Sequence, residues 1–222
     1  MTAFRFEDSS FPIRNDIPEA YRAFWQRLAQ PGSWWTGAQR VAIAAESRAA
    51  LSCNWCEKRK RALSPYQAAI DCETHQSDTK HSSTLPDEAI DAVHRVITDQ
   101  SRITQSYVNA NVEAGLGKGA YVELVGLVVA AFSIDEFHRA LGLALEPLPK
   151  PVAGDITKYQ PKHLSEDIGF VPTIPLEGAI GPEADLWPNG RTANVARALT
   201  LVPDALRDWQ QLGAAQYLSF RQ

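Results

Sequence analysis

Two cysteines at CxxC spacing, Cys53 and Cys56, are the residues of this chain best suited to chemistry. Such a pair can close a disulfide, or one thiol can be stabilised as a thiolate when positive charge lies nearby. The basic run KRKR follows at positions 58–61 and favours the thiolate. Glu46 lies seven residues before Cys53, so a helix would place its carboxylate on the same stripe as the sulfur. The pair therefore predicts redox chemistry.

Two other interpretations of the cysteine pair are open. In the first, both are small apolar side chains in a core, and the basic run is a solvated face. In the second, Cys53 and Cys56 join Cys72 and His75 in a structural zinc site, because both pairs have the spacing of zinc ligands. Zinc ligand pairs usually sit on tight turns, whereas this pair is predicted inside a helix. No metal and no other cofactor is therefore expected.

Acid–base groups form a second candidate set. His94 and His138 each follow an aspartate by three residues, and Glu123 lies in the apolar run YVELVG. An unpaired carboxylate there would be costly. A buried Glu near a His is suited to moving a proton, because each shifts the pKa of the other. The alternative is a set of structural ion pairs, with Glu123 meeting Arg40 or Arg48 across a helix interface.

Helices are predicted along most of the chain. Periodicity and capping residues indicate them over residues 17–30, 36–63, 66–72, 86–99, 101–114, 121–141, 191–201 and 203–217. The stretch 147–188 is rich in proline, which excludes long helices and central strands. The sequence thus predicts an all-α fold. Residues 1-149 would form a helical core, and residues 150-222 a Pro-rich arm and C-terminal helices that pack on the core or on a partner subunit.

Composition and charge exclude several classes of protein. The chain has 222 residues, 45% of them hydrophobic, and a net charge of −4, which speaks against disorder and against a basic nucleic-acid-binding surface. Three cysteines cannot make a disulfide scaffold. The most apolar stretch, 121–132, is too short to span a membrane, and no signal peptide is visible, so a cytoplasmic protein is expected. Long apolar helices and the arm predict a homo-oligomer.

Three segments carry a resemblance to a known family. They are WWTGAQRVAIAAESRAALSCNWCEKRKRALSP, TLPDEAIDAVHRVITDQSRIT and GAYVELVGLVVAAFSIDEFHRALGLALEPLP. In this order they resemble the alkylhydroperoxidase D-like, or carboxymuconolactone decarboxylase, superfamily, and most of all its peroxidase-related branch. The resemblance covers about residues 15–149. It implies an all-helical subunit that assembles through its helices into dimers, trimers or hexamers.

The resemblance also implies roles for the two thiols. In redox-active members of the family, a CxxC lies at the N-terminal end of a helix, where the second Cys attacks the peroxide and the first resolves the sulfenic acid. By this resemblance Cys56 is peroxidatic and Cys53 is resolving. The substrate is then a small hydroperoxide, and an external dithiol is the reductant.

The proton relay of that family is replaced in this chain. The family's Glu twelve residues before the first Cys is Val41, its His four residues after the second Cys is Lys60, and the His that some members carry before the second Cys is Trp55. The candidate substitutes are Glu46, His94, Glu123 and His138. The sequence thus predicts a thiol-dependent antioxidant protein. The alternative is a non-catalytic helical oligomer of the same superfamily with structural or zinc-binding cysteines.

Overall fold

The computed structural model describes residues 4–60, 84–191 and 193–217. This part of the protein contains eight α-helices. In chain order they are α1 (Asp16–Ala29), α2 (Gly37–Ala50), α3 (Asn54–Lys60), α4 (Asp87–Thr98), α5 (Gln105–Glu113), α6 (Lys118–Ala140), α7 (Asn194–Arg197) and α8 (Pro203–Gln216). Over these residues the only β-structure is one isolated bridge between Ser165 and Thr173. The predicted all-α class is confirmed.

Helix α6 is the centre of the core. It is apolar on most of its surface, and side chains such as Leu124, Val128 and Ile134 are fully buried. Helices α2 and α4 pack against α6 and against each other, and α8 packs against both α6 and α1. No helix in the described ranges is long and apolar enough to cross a bilayer. The packing of α2, α4 and α6 sets the frame in which the candidate residues lie.

Helix α2 begins where the sequence predicts it and ends earlier. Thr36 and Gln39 form a reciprocal capping box at its start. Its last turn tightens, because the backbone N–H of Cys53 bonds to the carbonyl of Ala50, only three residues back. The chain then restarts as α3. The prediction of one helix over 36–63 is therefore wrong, and Cys53 lies just before the first residue of a helix.

Other predicted elements differ mainly at their ends. Helix α4 matches its prediction within one residue at each end, whereas α5 begins at Gln105 after a single 3-10 turn, Gln100–Arg102. Two more 3-10 turns lie at Leu176–Gly178 and Gly181–Glu183. The helix predicted over 191–201 shortens to α7. The short helix predicted over 66–72, with Cys72 and His75, lies outside the described residues.

The Pro-rich arm follows the surface of its own chain. The backbone N–H of Val152 bonds to the carbonyl of Ala29 at 2.8 Å, and that of Lys158 bonds to the carbonyl of Ser33 at 2.8 Å. Farther along, a second cluster of buried side chains joins the arm to α7, α8 and the loop between them; it includes Ile174, Leu186, Trp187, Leu201 and Leu206. The arm and α8 thus pack on the core, while the division at residue 149 and any partner subunit stay predictions.

Two ion pairs join α2 to α6, and the pair of Arg40 and Glu123 is buried on both sides. Arg40 donates to Glu123 at 2.5 Å, and Arg48 donates to Asp135 at 2.7 Å. Glu123 also accepts the backbone N–H of Trp34 at 2.6 Å. Burial raises the pKa of Glu123, and the Arg40 guanidinium opposes that rise. The structure thus places Glu123 in the ion pair that the sequence left open as an alternative.

Replacing Arg40 by methionine tests how much the ion pair of Arg40 and Glu123 contributes to stability. We expect Arg40→Met to lower the free energy of unfolding by about 3–5 kcal/mol, because Glu123 would stay buried without its cation. Urea unfolding followed by circular dichroism measures the change. Arg139→Met is the matched control: Arg139 pairs with Glu136 on the surface, and its loss should cost less than about 1 kcal/mol. Equal losses for both variants would contradict a buried structural pair.

Candidate active site

A chain of three side chains leads from Glu46 to Cys56. The Nε2 atom of His94 lies 2.7 Å from Oε1 of Glu46, and its Nδ1 atom lies 3.1 Å from Sγ of Cys56. All three side chains are buried, and Glu46 is completely so. With the ring proton on Nε2, His94 donates to the carboxylate and its Nδ1 accepts from the thiol. In this tautomer Nδ1 of His94 is oriented to accept the proton of the Cys56 thiol.

Three helices contribute one member each to this chain. Glu46 lies on the buried face of α2, His94 on α4 and Cys56 on α3. Helix α4 packs against both α2 and α3, so it carries the central histidine between the other two groups. Of the predicted candidates, His94 therefore lies against Cys56, and Glu46 lies on the far side of the His94 ring.

Cys53 lies beside this chain at the mouth of a cleft. The Sγ atoms of Cys53 and Cys56 and a ring nitrogen of His94 all lie within 4.8 Å of one another. Both cysteines are free thiols, and Cys53 is partly exposed. The cleft has a volume of about 390 Å³; its lining includes both cysteines, Leu51, Ile97 and Thr98. A small molecule that enters it meets both sulfurs.

Burial controls the ionisation of the Cys56 thiol. Desolvation raises the pKa of Cys56 to about 11, although the neighbouring Thr98 side chain and the charge of Arg59 oppose the rise. Lys58 and Lys60 of the basic run are exposed. Arg59 of the basic run does lower the pKa of this thiol, as predicted, but desolvation outweighs it, so the thiolate that the run was expected to favour is not favoured on balance.

Arg59 is held beside Cys56 by a carboxylate of α4. It donates to Asp91 at 2.8 Å, and its second terminal nitrogen lies 3.8 Å from Sγ of Cys56. Asp91 also accepts from Arg95 at 2.8 Å and from the Tyr107 hydroxyl at 2.7 Å. Burial alone would raise the pKa of Asp91, but the two arginines hold it below its ordinary value. Asp91 thus remains an anion that fixes Arg59.

The other two acid–base candidates do not reach the cysteine pair. Glu123 is paired with Arg40, as described above. His138 lies farther along α6, where its Nδ1 atom lies 2.9 Å from the carbonyl oxygen of Ile134. Its ring packs against those of Phe4 and Phe6. Both residues thus have structural partners away from the cysteines. Of the four candidates only His94 contacts the Cys56 sulfur, and Glu46 reaches it through His94.

Sequence reasoning missed two groups of this site. Thr98 follows His94 by four residues, so the helical period alone puts it on the same face of α4. Its hydroxyl donates to the carbonyl of His94 at 2.8 Å. The contact of Tyr107 with Asp91 cannot be predicted from the sequence, because it depends on how α5 packs against α4.

The ionisation of Cys56 can be followed by its rate of alkylation. In a Cys53→Ser/Cys72→Ser variant Cys56 is the only thiol. We expect its reaction with iodoacetamide to keep accelerating toward pH 11, because burial holds the proton on the sulfur. In urea the same thiol should reach its plateau above an ordinary pKa of about 8.5. Mass spectrometry measures both rates, and a plateau below that value in the folded protein would contradict the assignment.

The chain was compared with protein-family models, with curated proteins and with solved structures, and nothing matches it in any of the three. The resemblance to the alkylhydroperoxidase D-like superfamily therefore stays a prediction from the residues. What this protein can do has to be argued from the cluster of Glu46, His94, Cys53 and Cys56.

Proposed function

We propose that this protein is a thiol-dependent hydroperoxide reductase of the alkylhydroperoxidase D-like type. The observation that carries the proposal is the buried Glu46–His94–Cys56 chain, which ends on a sulfur with a second thiol beside it at a cleft. A nucleophilic thiol, a base in contact with it and a group that orients the base are the parts that activated cysteines require. Packing alone would not require a histidine aligned on the thiol.

The first step is removal of the thiol proton. Because burial raises the pKa of Cys56 to about 11, the thiol is protonated at pH 7. His94 therefore takes the proton through Nδ1 as the sulfur attacks, and the Glu46 carboxylate stabilises the imidazolium through Nε2–H. Arg59 lies 3.8 Å from the sulfur and offsets its developing negative charge.

The second step is transfer of oxygen to sulfur. The Cys56 sulfur attacks the terminal oxygen of the hydroperoxide, so that the S–O bond forms as the O–O bond breaks. The leaving alkoxide takes the proton held by His94 and departs as an alcohol. The His94 imidazole thus serves first as base and then as acid. It supplies the proton for the leaving group that the family's relay residues would supply, which in this chain are replaced by Val41, Trp55 and Lys60.

The third step consumes the second thiol. The Cys53 sulfur attacks the sulfenic acid of Cys56, the disulfide forms, and water leaves with the Cys53 proton. The sulfurs start within 4.8 Å of one another and must close to about 2.05 Å, which rotation of the partly exposed Cys53 side chain allows. An external dithiol then returns both sulfurs to thiols.

Partners and location follow from the same chemistry. A thiol pair that must be reduced after each turnover is suited to the reducing conditions of a cytoplasm, which is the location we propose. We also propose a homo-oligomer, since Leu176, Ile180 and Val195 expose apolar side chains on a single subunit.

Single substitutions separate the proposed roles. We expect Cys56→Ser to abolish the consumption of tert-butyl hydroperoxide in the presence of excess dithiol, because the nucleophile is gone. His94→Gln should lower kcat/KM by about 10²–10⁴-fold, since the thiol loses its base. Cys72→Ser is the matched control, because it removes the remaining thiol of the chain, and it should keep the parent rate.

Two results would contradict these roles. Parent-like activity in Cys56→Ser would show that the nucleophile is wrongly assigned. An inactive Cys56→Ser together with an unaffected His94→Gln would place the proton donor elsewhere. Circular dichroism confirms in each case that the variant is folded.

Oxidation of the reduced protein by one equivalent of hydroperoxide should join Cys53 to Cys56. We expect the peptide that contains both residues to lose two hydrogens in mass spectrometry, because the neighbouring thiol traps the sulfenic acid. In Cys53→Ser a sulfenic acid on Cys56 should accumulate and react with dimedone. Separate sulfonic acids on the two cysteines of the parent would contradict the pairing.

A further inference from the structure

The donor set of a metal site is already assembled at the cysteine pair. Two sulfurs and one imidazole nitrogen lie within 4.8 Å of one another, from Cys53, Cys56 and His94. In tetrahedral zinc sites, Zn–S of about 2.3 Å and Zn–N of about 2.0–2.1 Å place neighbouring donors about 3.5–3.8 Å apart. Small rotations of the side chains, with that of Cys53 partly exposed, bring the three atoms to this separation.

Glu46 provides a second, independent sign of a ligand site. A histidine that binds a metal through one ring nitrogen usually donates its other N–H to a carboxylate, which fixes the ring and raises its basicity. His94 has that arrangement: Nδ1 faces the sulfurs, and Nε2 lies 2.7 Å from the fully buried Glu46 carboxylate. The ring is therefore oriented for a cation as well as for a proton.

Charge also balances at this position. Two thiolates neutralise a divalent cation, and the guanidinium 3.8 Å from Sγ of Cys56, that of Arg59, is already paired with Asp91. Both cysteines line the cleft, so a fourth coordination position faces the opening. Two thiolates, one imidazole and an open position are a donor set of catalytic zinc sites.

We propose that the reduced protein binds one Zn²⁺ through Sγ of Cys53, Sγ of Cys56 and Nδ1 of His94. Binding releases two thiol protons and involves no change of oxidation state. The set differs from the zinc interpretation of the sequence, in which Cys72 and His75 completed the site. A position inside a helix speaks against zinc ligands, but Cys53 lies at the break before α3.

The same site then joins metal binding to redox state; this second part rests on the proposed function. A disulfide between the two cysteines removes both thiolate ligands. A hydroperoxide accepts two electrons from the sulfurs and two protons from water, giving an alcohol and water, while the zinc ion leaves as Zn²⁺. Both sulfurs would thus remain zinc ligands until a hydroperoxide oxidises them and the ion leaves.

A competition experiment tests the metal site without peroxide. Reduced, chelator-treated full-length protein is titrated with Zn²⁺ against a chromophoric chelator. We expect one equivalent to bind to the parent, no competition from Cys53→Ser or His94→Gln, and about 10–100-fold weaker binding by Glu46→Gln. Co²⁺ should give the visible absorption of a tetrahedral thiolate site in the parent and not in Cys53→Ser.

Cys72→Ser is the matched control and should bind zinc as the parent does. Loss of binding in this variant would overturn the proposed donor set in favour of the one with Cys72. Binding by Cys53→Ser equal to that of the parent would also overturn it. Circular dichroism in the presence of chelator shows that each variant is folded, and Cys53→Ser, at a partly exposed position, carries the least risk of unfolding.

Adding hydroperoxide to the zinc-loaded protein separates this proposal from the proposed function. We expect one equivalent of zinc to be released as the disulfide forms. If no zinc binds but the disulfide still forms, the metal site is wrong and the redox proposal stands. If zinc binds and hydroperoxide neither oxidises the cysteines of the metal-free protein nor displaces the metal, the redox proposal is wrong and the metal site stands.

Discussion

The hydrogen bond between Glu46 and His94 is the contact on which the arrangement around Cys56 depends. Both groups are buried, so each would be costly without the other. Because Glu46 belongs to α2 and His94 to α4, the bond also fixes how these two helices face each other. It turns Nδ1 of the ring toward the sulfur, which lies 3.1 Å away. Proton transfer and metal binding both require that direction.

Buried arginine–carboxylate pairs hold the elements that carry these groups. Such pairs add little net stability compared with apolar packing, but a misplaced partner leaves a buried charge, so they penalise other packings of the helices. The pair of Arg59 and Asp91 matters most at the site. Helix α3 has only seven residues, and a helix so short is marginal by itself. Its link to α4 through Asp91, strengthened where Arg102 bonds to the Arg59 carbonyl, keeps Cys56 against His94.

The sequence is sufficient for the fold class and for part of the site. Helical periodicity and capping predict α1 and α4 closely, and the CxxC spacing singles out the two cysteines that the structure places beside His94. It is not sufficient to choose among the acid–base candidates, because His94 meets Cys56 across 38 residues of chain, a contact that only helix packing determines. Helix packing also determines the burial of Arg59. In the sequence Arg59 belongs to a basic run that is expected to be solvated, and it turns inward because it pairs with the carboxylate of Asp91. The break before Cys53 escaped prediction because alanine and leucine, both strong helix formers, continue into it.

Burial of Cys56 gives the site a thiol that stays protonated until something removes its proton. An exposed thiolate would react with any oxidant or electrophile, whereas a desolvated thiol with a pKa of about 11 reacts only where a base is aligned with it. In the proposed reaction, His94 is that base when the sulfur attacks a hydroperoxide. A thiophilic cation is the other agent that can compensate for the desolvated negative charge, because it binds the thiolate directly. Both agents need Cys53 as the second sulfur, and a sulfur in a disulfide cannot remain a thiolate ligand. The same geometry thus makes oxidation and metal binding mutually exclusive.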